Sequence, residues 1–415
     1  MAISCVVIIP TRNRAALAKN AICSVLSHQG DDLQLIVSDN STSTEEKRDL
    51  SSFCANFADS RLKYITPPQP LAMPLHWEFA VNQAKAMAHA THFVILTDRM
   101  VFRQGMLRVV LDAVSTQPDQ VLSYNDDMLH DRTTPLQLER KKLTGQILDL
   151  DAGHLLYLSS IGVFPQALPR MLNCVVPRKL LDKIQERFGD VYSSVAPDLC
   201  HAYRCLAICD SIRYYDAPVM IQYGFAKSNG TGYYDKKTND AWADFNRNAG
   251  SRGLTYAAPI PEICCNLNVV YHEYCFVWKQ AQDEAKYPAV DWRRYVQAIA
   301  QDIELCGNPE VRAQLLAILR KHAGNELDSA TPAPPPLQTR RRMGLKDYWN
   351  RLSRASWTKP IWLVLARLRV QPPADNRFTF KDVESAMYYS NRVKPYYVPT
   401  ADHVQYMQRG WKLAG

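Results

Sequence analysis

The sequence of 415 residues lacks features that define several classes of protein. No apolar run reaches the roughly 18 residues that a membrane-spanning helix needs. The opening, MAISCVVIIP, has neither a basic start nor a small-residue cleavage site, so it does not resemble a signal peptide. Apolar residues make up 47% of the chain, enough for a full hydrophobic core. We therefore expect a globular protein that is made and kept in the cytoplasm.

The cysteines give no sign of a disulfide framework or of a zinc finger. All 11 are scattered along the chain, which favours reduced thiols buried as small hydrophobic groups. The segment CCNLNVVYHEYC does contain four residues that could bind zinc, Cys264, Cys265, His272 and Cys275. It has no CxxC pair, and its spacing matches no common zinc finger, so we favour a structural role for it.

Positive charge is concentrated near the carboxyl terminus. Residues 331–415 contain 15 Lys and Arg against 5 Asp and Glu, whereas residues 1–330 contain 34 against 36. A nearly neutral body with a basic tail indicates an anionic partner for the tail. Phospholipid, nucleic acid and a phosphorylated acceptor all fit this description.

The first 125 residues alternate between strand-like and helix-like segments. Continuous apolar strands that alternate with amphipathic helices predict an α/β fold, with a Rossmann-like, mostly parallel sheet flanked by helices. The predicted strands span 3–10, 33–40, 62–65, 93–96 and 121–124. The polar clusters TRNR, SDNSTST and TDRM each follow one of these strands. Because ligands bind at the carboxyl ends of strands in such sheets, the clusters predict a binding site there.

The rest of the chain suggests three further regions. We predict a helical region at 233–327, packed on or completing a domain formed by 1–232, then a proline-rich and basic linker at 328–344. A basic amphipathic region follows at 345–415, with two short helices that contain Trp and Arg. These helices fit either an interfacial membrane segment, with residues 340–370 on an anionic surface, or a pair docked on the main domain.

Several segments together resemble family 2 inverting glycosyltransferases, which have the GT-A fold. VVIIPTRNRAALAKNAICSVLSHQ and LIVSDNST are similar to the opening of these enzymes, and LAMPLHWEFAVNQAKA to the helix before their acidic motif. GDVYSSVAPDLCHAYRCLA resembles the segment with their catalytic base, and IQYGFAKSNG the strand and loop beyond it. The resemblance covers roughly residues 3–232 and rests on the order of several motifs.

This resemblance implies a role for individual residues. Asp198 corresponds to the general base, Asp39 to the residue that binds the donor base, usually uracil, and Asp98 to the acidic residue at the ribose or metal. The donor-binding residues would be Pro10, Thr11, Arg12, Arg14, Asp39, Asn40 and Asp98. From local sequence alone, Asp39 could equally form a turn, and Asp198 could cap a helix.

The acidic motif departs from the family pattern, because it reads Asp98-Arg99-Met100 and holds a single carboxylate. One hypothesis is that Arg99, aided by Arg12 or Arg14, takes the place of Mg²⁺ or Mn²⁺ and stabilises the leaving diphosphate. The alternative is that Asp98 binds a metal ion together with Asp126 or Asp127.

The sequence therefore predicts a glycosyltransferase that uses a nucleotide diphosphate-sugar, with UDP as the expected nucleotide. The acceptor would be a glycan or a lipid-linked hydroxyl compound in cell-surface glycan synthesis, consistent with an enzyme peripheral to the inner membrane. One alternative is a catalytically degenerate protein that only binds nucleotide-sugars. A nucleotidyltransferase is disfavoured because PTRNRAAL has no glycine-rich phosphate loop, and nucleic-acid binding because the tail contains no recognised motif.

Overall fold

The computed structural model describes residues 3–30, 32–132, 134–192, 194–234, 255–324, 377–391, 396–399 and 401–408. The linker 328–344 and the two helices predicted at 345–357 and 360–370 lie outside the described residues. Within the described residues, no helix is both long enough and apolar enough to cross a membrane.

One large sheet forms the centre of the molecule. Its strands are β1 (Cys5–Thr11), β2 (Leu33–Asp39), β3 (Leu62–Ile65), β4 (His92–Ile95), β5 (Met100–Phe102), β6 (Leu122–His130), β7 (Leu136–Glu139), β9 (Ile147–Asp151), β10 (Cys174–Pro177), β11 (Ser211–Gln222) and β12 (Arg377–Phe380). The main path runs β12-β7-β6-β10-β4-β1-β2-β3, and β11 pairs with β5, β6 and β9. The short strands β8 (Lys142–Leu143) and β13 (Tyr396–Tyr397) form a separate pair.

The amino-terminal strands are parallel and end at the same edge of the sheet. β1 pairs in parallel with β2 and β4, and β2 with β3. Thr11 at the end of β1 lies opposite Asp39 at the end of β2. This register brings the polar segments after β1, β2 and β4 to one place. Beyond β4 the sheet is mixed, because β10 is antiparallel to both β4 and β6.

Helices cover both faces of the sheet, as the alternation in the sequence predicts. They are α1 (Ala15–Leu26), α2 (Thr44–Asn56), α3 (Met73–Lys85), α4 (Met106–Thr116), α5 (Ala152–Ser160), α6 (Arg178–Phe188), α7 (Pro197–Ile208), α8 (Asn229–Tyr234), α9 (Asn266–Ala281), α10 (Trp292–Glu304), α11 (Pro309–Ala323), α12 (Val383–Met387) and α13 (Asp402–Gln408).

The alternating side chains of β1 lie in two different cores. Val7 and Ile9 belong to a core with residues of α1, α2 and α4, such as Ile22. Val6 and Ile8 belong to the opposite core, with residues of α3, α6, α7 and α9. A strand buried on both faces needs a continuous apolar sequence, and CVVII supplies it. The predicted α/β sheet with flanking helices is thus confirmed.

A third core holds the helical region that follows β11. Residues of α8 to α11, including Tyr271, Tyr295 and Leu319, pack together, and Val195 and Ala196 of the loop before α7 join them. This core fixes α9 against α7. The described part of the predicted region 233–327 is therefore attached directly to the site described below.

Part of the predicted carboxyl-terminal region belongs to the main sheet. β12 is antiparallel to β7, with Phe378 opposite Leu138. Tyr389 donates a hydrogen bond to Asp127 of β6, and the guanidinium of Arg103 lies 4.0 Å from the centre of the Tyr389 ring. The domain boundary at 344 stays a prediction, but the described residues of 377–408 pack on the α/β domain, and sequence analysis did not predict this packing.

Candidate active site

A cleft of about 750 Å³ opens where the carboxyl ends of β1, β2 and β4 meet α7 and α9. One side, which we call the strand-end wall, consists of Pro10, Thr11, Arg12, Asn13, Arg14, Asn40, Thr97, Asp98 and Arg99. A second group of lining residues, which we call the helical wall, consists of Ala72, Met73, Pro74, His76, Trp77, Leu172, Val195, Ala196, Pro197, Asp198, Leu199, Asn266, Val269 and Val270. The predicted site residues are thus brought together, with the exception of Asp39.

Asparagine side chains tie the loops of the strand-end wall to one another. The Asn13 amide oxygen accepts hydrogen bonds from the backbone N–H groups of Thr42 and Ser43, at 2.9 and 3.0 Å. Asn40 accepts from the backbone N–H of Leu71 at 2.9 Å and donates to its carbonyl oxygen at 2.8 Å. Asn13 has a φ of 53°, which Asn tolerates better than most residues. The loops after β1 and β2 are therefore fixed before any ligand arrives.

Asp98 is buried at the floor of the cleft, and both of its carboxylate oxygens are engaged. Oδ2 accepts from the Thr11 hydroxyl at 2.9 Å, and Oδ1 lies 3.3 Å from Nη1 of Arg14. Arg14 also donates from Nη2 to the carbonyl oxygen of Lys227 at 2.6 Å. The carboxylate therefore orients an arginine that faces the cleft.

Arg99 lies beside this pair and is half-buried. Its Nη1 is 3.5 Å from the carbonyl oxygen of Tyr223. A Cβ atom at Gly224 would lie 3.2 Å from Cγ of Arg99, and Gly224 has a φ of +69°, so glycine is required for this approach. Burial lowers the pKa of the Arg99 guanidinium, and the negative charge of Asp98 opposes this effect. With Arg12 and Arg14, Arg99 gives the strand-end wall three cationic side chains.

Asp39 lies at the end of β2 but is not among the residues that line the cleft. It is 1% exposed. Its Oδ1 accepts from the backbone N–H of Ser41 at 2.8 Å, and its Oδ2 from the Tyr64 hydroxyl at 2.7 Å. These contacts fit the turn that the sequence offered as an alternative. A role in binding the donor base stays a prediction.

Asp198 occupies the first turn of α7, on the helical wall. Pro197 begins the helix, where its missing N–H has no cost. Burial raises the pKa of the Asp198 carboxyl group, while the positive charges of Arg170 and Arg99 oppose the rise. A carboxylate with a raised pKa holds an abstracted proton better than an ordinary one and is suited to general-base catalysis.

The residues around Asp98 do not fit a divalent metal ion. Asp98 is a single carboxylate with both oxygens hydrogen-bonded, and a guanidinium follows it in the chain. The alternative with Asp126 or Asp127 is not supported, because Asp126 pairs with Lys141 and Asp127 accepts from Tyr389, and neither lines the cleft. Among the described residues, no group of three His, Cys, Asp or Glu side chains could hold a metal.

The segment CCNLNVVYHEYC forms no such group among the described residues. Both ring nitrogens of His272 are already hydrogen-bonded, Nδ1 to the backbone N–H of Ala257 at 2.7 Å and Nε2 to the Ser194 hydroxyl at 2.7 Å. Cys264 is exposed, whereas Cys265 and Cys275 are buried. The expectation of reduced, structural thiols agrees with these positions, and all 11 cysteines are free.

Sequence analysis missed three contributors to the site. Arg170 acts on Asp198 through its charge, Trp77 belongs to the helical wall, and Glu273 binds the loop before α7. Glu273 lies in a segment that the sequence analysis did consider, because it directly follows His272 in the candidate zinc site. No local pattern distinguishes it from a surface glutamate of a helix.

Part of this chain matches a known protein family. Residues 6–139 match the family model described as Glycosyl transferase family 2. No curated protein matches the chain. Among solved structures, S. aureus TarS 1-349 in complex with UDP-GlcNAc is 11% identical, with 79% of this chain and 92% of that chain covered and a TM-score of 0.43. Mannosyltransferase PcManGT from Pyrobaculum calidifontis, in complex with GDP-Man and Mn²⁺, is 15% identical over 78% of this chain and 87% of that chain, with a TM-score of 0.39.

The family match covers the part of the chain that forms the strand-end wall. Residues 6–139 hold most of β1 and all of β2 to β7, and they supply the whole strand-end wall. Residues 6–139 of this chain are thus similar to family 2 glycosyltransferases.

Proposed function

We propose that the protein transfers a sugar from a nucleotide diphosphate-sugar, with UDP as the nucleotide, to a hydroxyl acceptor with inversion at the anomeric carbon. One observation carries this proposal. Asp198 lines the same cleft as the cationic side chains of Arg12, Arg14 and Arg99. A base and a cationic site for the leaving group on opposite sides of the sugar are what a single displacement needs.

In this reaction Asp198 removes the proton of the acceptor hydroxyl group. The acceptor oxygen forms a bond to the anomeric carbon as the bond from that carbon to the diphosphate oxygen breaks. The electron pair of the broken bond leaves with the nucleoside diphosphate. The proton ends on Asp198 and later passes to water, so the enzyme returns to its starting state.

Arg99 and Arg14 would stabilise the negative charge that develops on the leaving diphosphate. Guanidinium groups bind phosphate oxygens through two parallel hydrogen bonds, and they are effective when they are oriented before the reaction. Asp98 orients Arg14 through the 3.3 Å ion pair, and Gly224 gives Arg99 room beside it. We therefore expect little dependence on a divalent metal.

The helical wall suggests an acceptor with an apolar part. Val195, Leu199 and Val269 line the cleft together with Asp198, and so do Met73, Trp77 and Leu172. Sugars also stack on aromatic rings, so a glycan attached to a lipid or another apolar group fits both features. The proposed anionic membrane surface for residues 340–370 rests on sequence alone, because this segment lies outside the described residues.

A thermal-shift panel of nucleoside diphosphates and their sugars, each with EDTA or with Mn²⁺, tests this proposal. Ligand binding raises the melting temperature in proportion to the logarithm of ligand concentration over Kd. We expect UDP and one UDP-sugar to stabilise the protein in EDTA, and transfer to proceed there. If EDTA abolishes transfer and Mn²⁺ restores it, the role of Arg99 is wrong. If no nucleotide stabilises the protein in either condition, the donor assignment is wrong.

A further inference from the structure

The loop between α6 and α7 ends at the proposed base, and buried polar groups of α9 hold it. Glu273 and His272 of α9 are 0% and 1% exposed, and Ser194 of the loop is 1% exposed. The proposed mechanism uses none of these three residues. Burying polar side chains is costly unless each makes hydrogen bonds, so their partners indicate their role.

Glu273 binds the backbone that leads into α7. Its Oε1 accepts from the N–H of Val195 at 3.0 Å and from the N–H of Ala196 at 2.6 Å. Ala196 is the residue immediately before α7, and Asp198 follows two positions later. A single carboxyl oxygen of Glu273 therefore fixes the start of the helix whose first turn carries the proposed base.

His272 supports the same loop in one defined tautomer. Because the N–H of Ala257 donates to Nδ1, this nitrogen is unprotonated, and Nε2–H donates to the Ser194 hydroxyl. Burial lowers the pKa of His272 to about 4, which keeps the ring neutral at pH 7. A ring that donates to the serine cannot also accept its proton. The Ser194–His272 pair is therefore not a nucleophile and its base.

Ser194 has a backbone conformation that needs such support. Its φ is 132°, a region that residues with a side chain rarely adopt. The hydroxyl group accepts from His272 and also hydrogen-bonds the Glu273 carboxylate. The surrounding contacts thus hold a strained residue four positions before Asp198.

We propose that Glu273, together with His272 and Ser194, positions Asp198 for general-base catalysis by fixing the loop at the start of α7. This inference rests on the proposed function, since it assigns the three residues a role through Asp198. None of them touches the sugar in this proposal. They are positioning residues, and their loss affects the reaction more than it affects donor binding.

The test compares Glu273→Ala with two matched variants. Glu273→Gln keeps an acceptor at Oε1, whereas Glu78→Ala removes a carboxylate of α3 that accepts from the N–H groups of Val191 and Tyr192, farther from Asp198 in the same loop. The measurements are UDP release from the UDP-sugar that stabilises the protein most, and Kd for UDP. We expect Glu273→Ala to lower kcat about 100-fold, the cost of a displacement of about 1 Å in a catalytic group.

The controls separate positioning from loss of structure. Glu273→Gln should keep at least a tenth of the activity. Glu78→Ala should lower stability, because it removes two hydrogen bonds to the backbone, but its kcat should stay within about threefold of wild type. Kd for UDP should change by less than about threefold in all three variants, because the contacts to the nucleotide lie on the other wall.

In Asp198→Asn protein, adding Glu273→Ala should have little further effect, because the two residues act as a unit. A folded Glu273→Ala protein with wild-type kcat, or full additivity with Asp198→Asn, would overturn the proposal.

Hydrogen exchange of the peptide covering 194–200 gives a result that does not depend on turnover. Loss of the Glu273 acceptor should speed exchange of the Val195 and Ala196 amides, while Glu78→Ala should not. If Glu273→Ala does not fold, Ser194→Gly is measured instead, since glycine accepts the backbone conformation but lacks the hydroxyl group. Unchanged exchange in both the alanine and the glycine variant contradicts the inference. Wild-type activity in Asp198→Asn contradicts the proposed function, whatever Glu273 does.

Discussion

The side chains of the two walls of the cleft are held in place by different kinds of contact. The strand-end wall is made by loops that follow parallel strands, and its polar side chains bind one another, as Asp98, Thr11 and Arg14 do. The helical wall presents Asp198 from an apolar surface, and the groups that hold it lie in the interior. The residues of the strand-end wall therefore occur in short polar motifs of the sequence. The helical wall depends on contacts between residues nearly 80 positions apart.

The walls also differ in charge. Three arginines give the strand-end wall its positive potential, but the helical wall around Asp198 is mainly apolar. Positive groups attract the diphosphate, and an apolar wall raises the pKa of the base. This difference predicts that variants of the strand-end wall will mainly affect the nucleotide and its departure, and variants of the helical wall the acceptor and the proton.

Replacement of the proposed base should have the largest effect. Asp198→Asn keeps the size of the side chain but cannot accept a proton at neutral pH, so we expect kcat to fall about 1000-fold. Kd for UDP should change by less than about threefold. Asp210→Asn, in an exposed aspartate just beyond the end of α7, is the control. If Asp198→Asn keeps an activity within tenfold of wild type, Asp198 is not the general base, and the helical wall does not have the role proposed for it.

The next largest effect should come from the cation of the strand-end wall. Arg99→Ala removes one group that stabilises the leaving diphosphate, and we expect kcat to fall about 100-fold. Arg99→Lys should recover part of this loss, because it keeps the charge without the paired hydrogen bonds. Single-turnover rates with EDTA and with Mn²⁺ would measure both. If Mn²⁺ restores the activity of Arg99→Ala, the site binds a metal ion. The control is Arg48→Ala, which replaces an exposed arginine of α2 and should have no effect on kcat.

This contrast explains what the sequence could and could not reveal. The strands after which TRNR, SDNSTST and TDRM occur were recognisable because burial on both faces demands continuous apolar runs, so the site at their ends could be predicted. Glu273 could not, because its role comes from long-range hydrogen bonds. β12 was missed for the same reason, since RFTF forms a strand only when it pairs with β7.

Asp39 provides a sharper test of the strand-end wall. If it binds the donor base, Asp39→Ala should weaken UDP binding about tenfold, since a hydrogen bond to a charged group contributes roughly 1.5–3 kcal/mol. Tyr64→Phe removes only the hydroxyl that donates to Oδ2 and should leave Kd within about twofold. Isothermal titration with UDP distinguishes the two variants. If both variants weaken UDP binding equally, Asp39 acts by stabilising the turn after β2 and does not bind the nucleotide.

The pH dependence of stability should differ between the walls. Burial raises the pKa of Glu273 to about 8, against a usual value of 4.5, while hydrogen bonds from Ala196, Ser194 and Val195 oppose the rise. The folded protein then binds a proton on the Glu273 carboxyl group more tightly than the unfolded chain does. Protonated Glu273 therefore contributes to the free energy of unfolding in full below about pH 4.5, and this contribution is lost as the pH rises to about 8. Other titratable groups coupled to Glu273 are His272, Asp198, Cys200, Tyr203 and Tyr256.

Glu273→Gln cannot titrate and removes this contribution. We therefore expect the free energy of unfolding of wild type, relative to Glu273→Gln, to fall between pH 5 and pH 8 as measured by urea denaturation. Glu78→Gln provides a comparison, because Glu78 is only half-buried and its pKa is raised less strongly. A difference between wild type and Glu273→Gln that stays constant over this range would mean that Glu273 is charged in the folded protein.

The smallest effect should come from the carboxyl-terminal segment, which packs away from both walls. Tyr389→Phe keeps the ring beneath the Arg103 guanidinium but loses the hydrogen bond to Asp127, a carboxyl group whose pKa burial already raises. We expect a loss of about 1–2 kcal/mol in stability, since a buried acceptor loses its donor, and unchanged kcat and Kd for UDP. Thermal unfolding and UDP release measure the two. Because β6 supplies Asp127 to this contact and no residue to the cleft, a fall in kcat without a fall in stability would mean that the segment reaches the active site through the sheet.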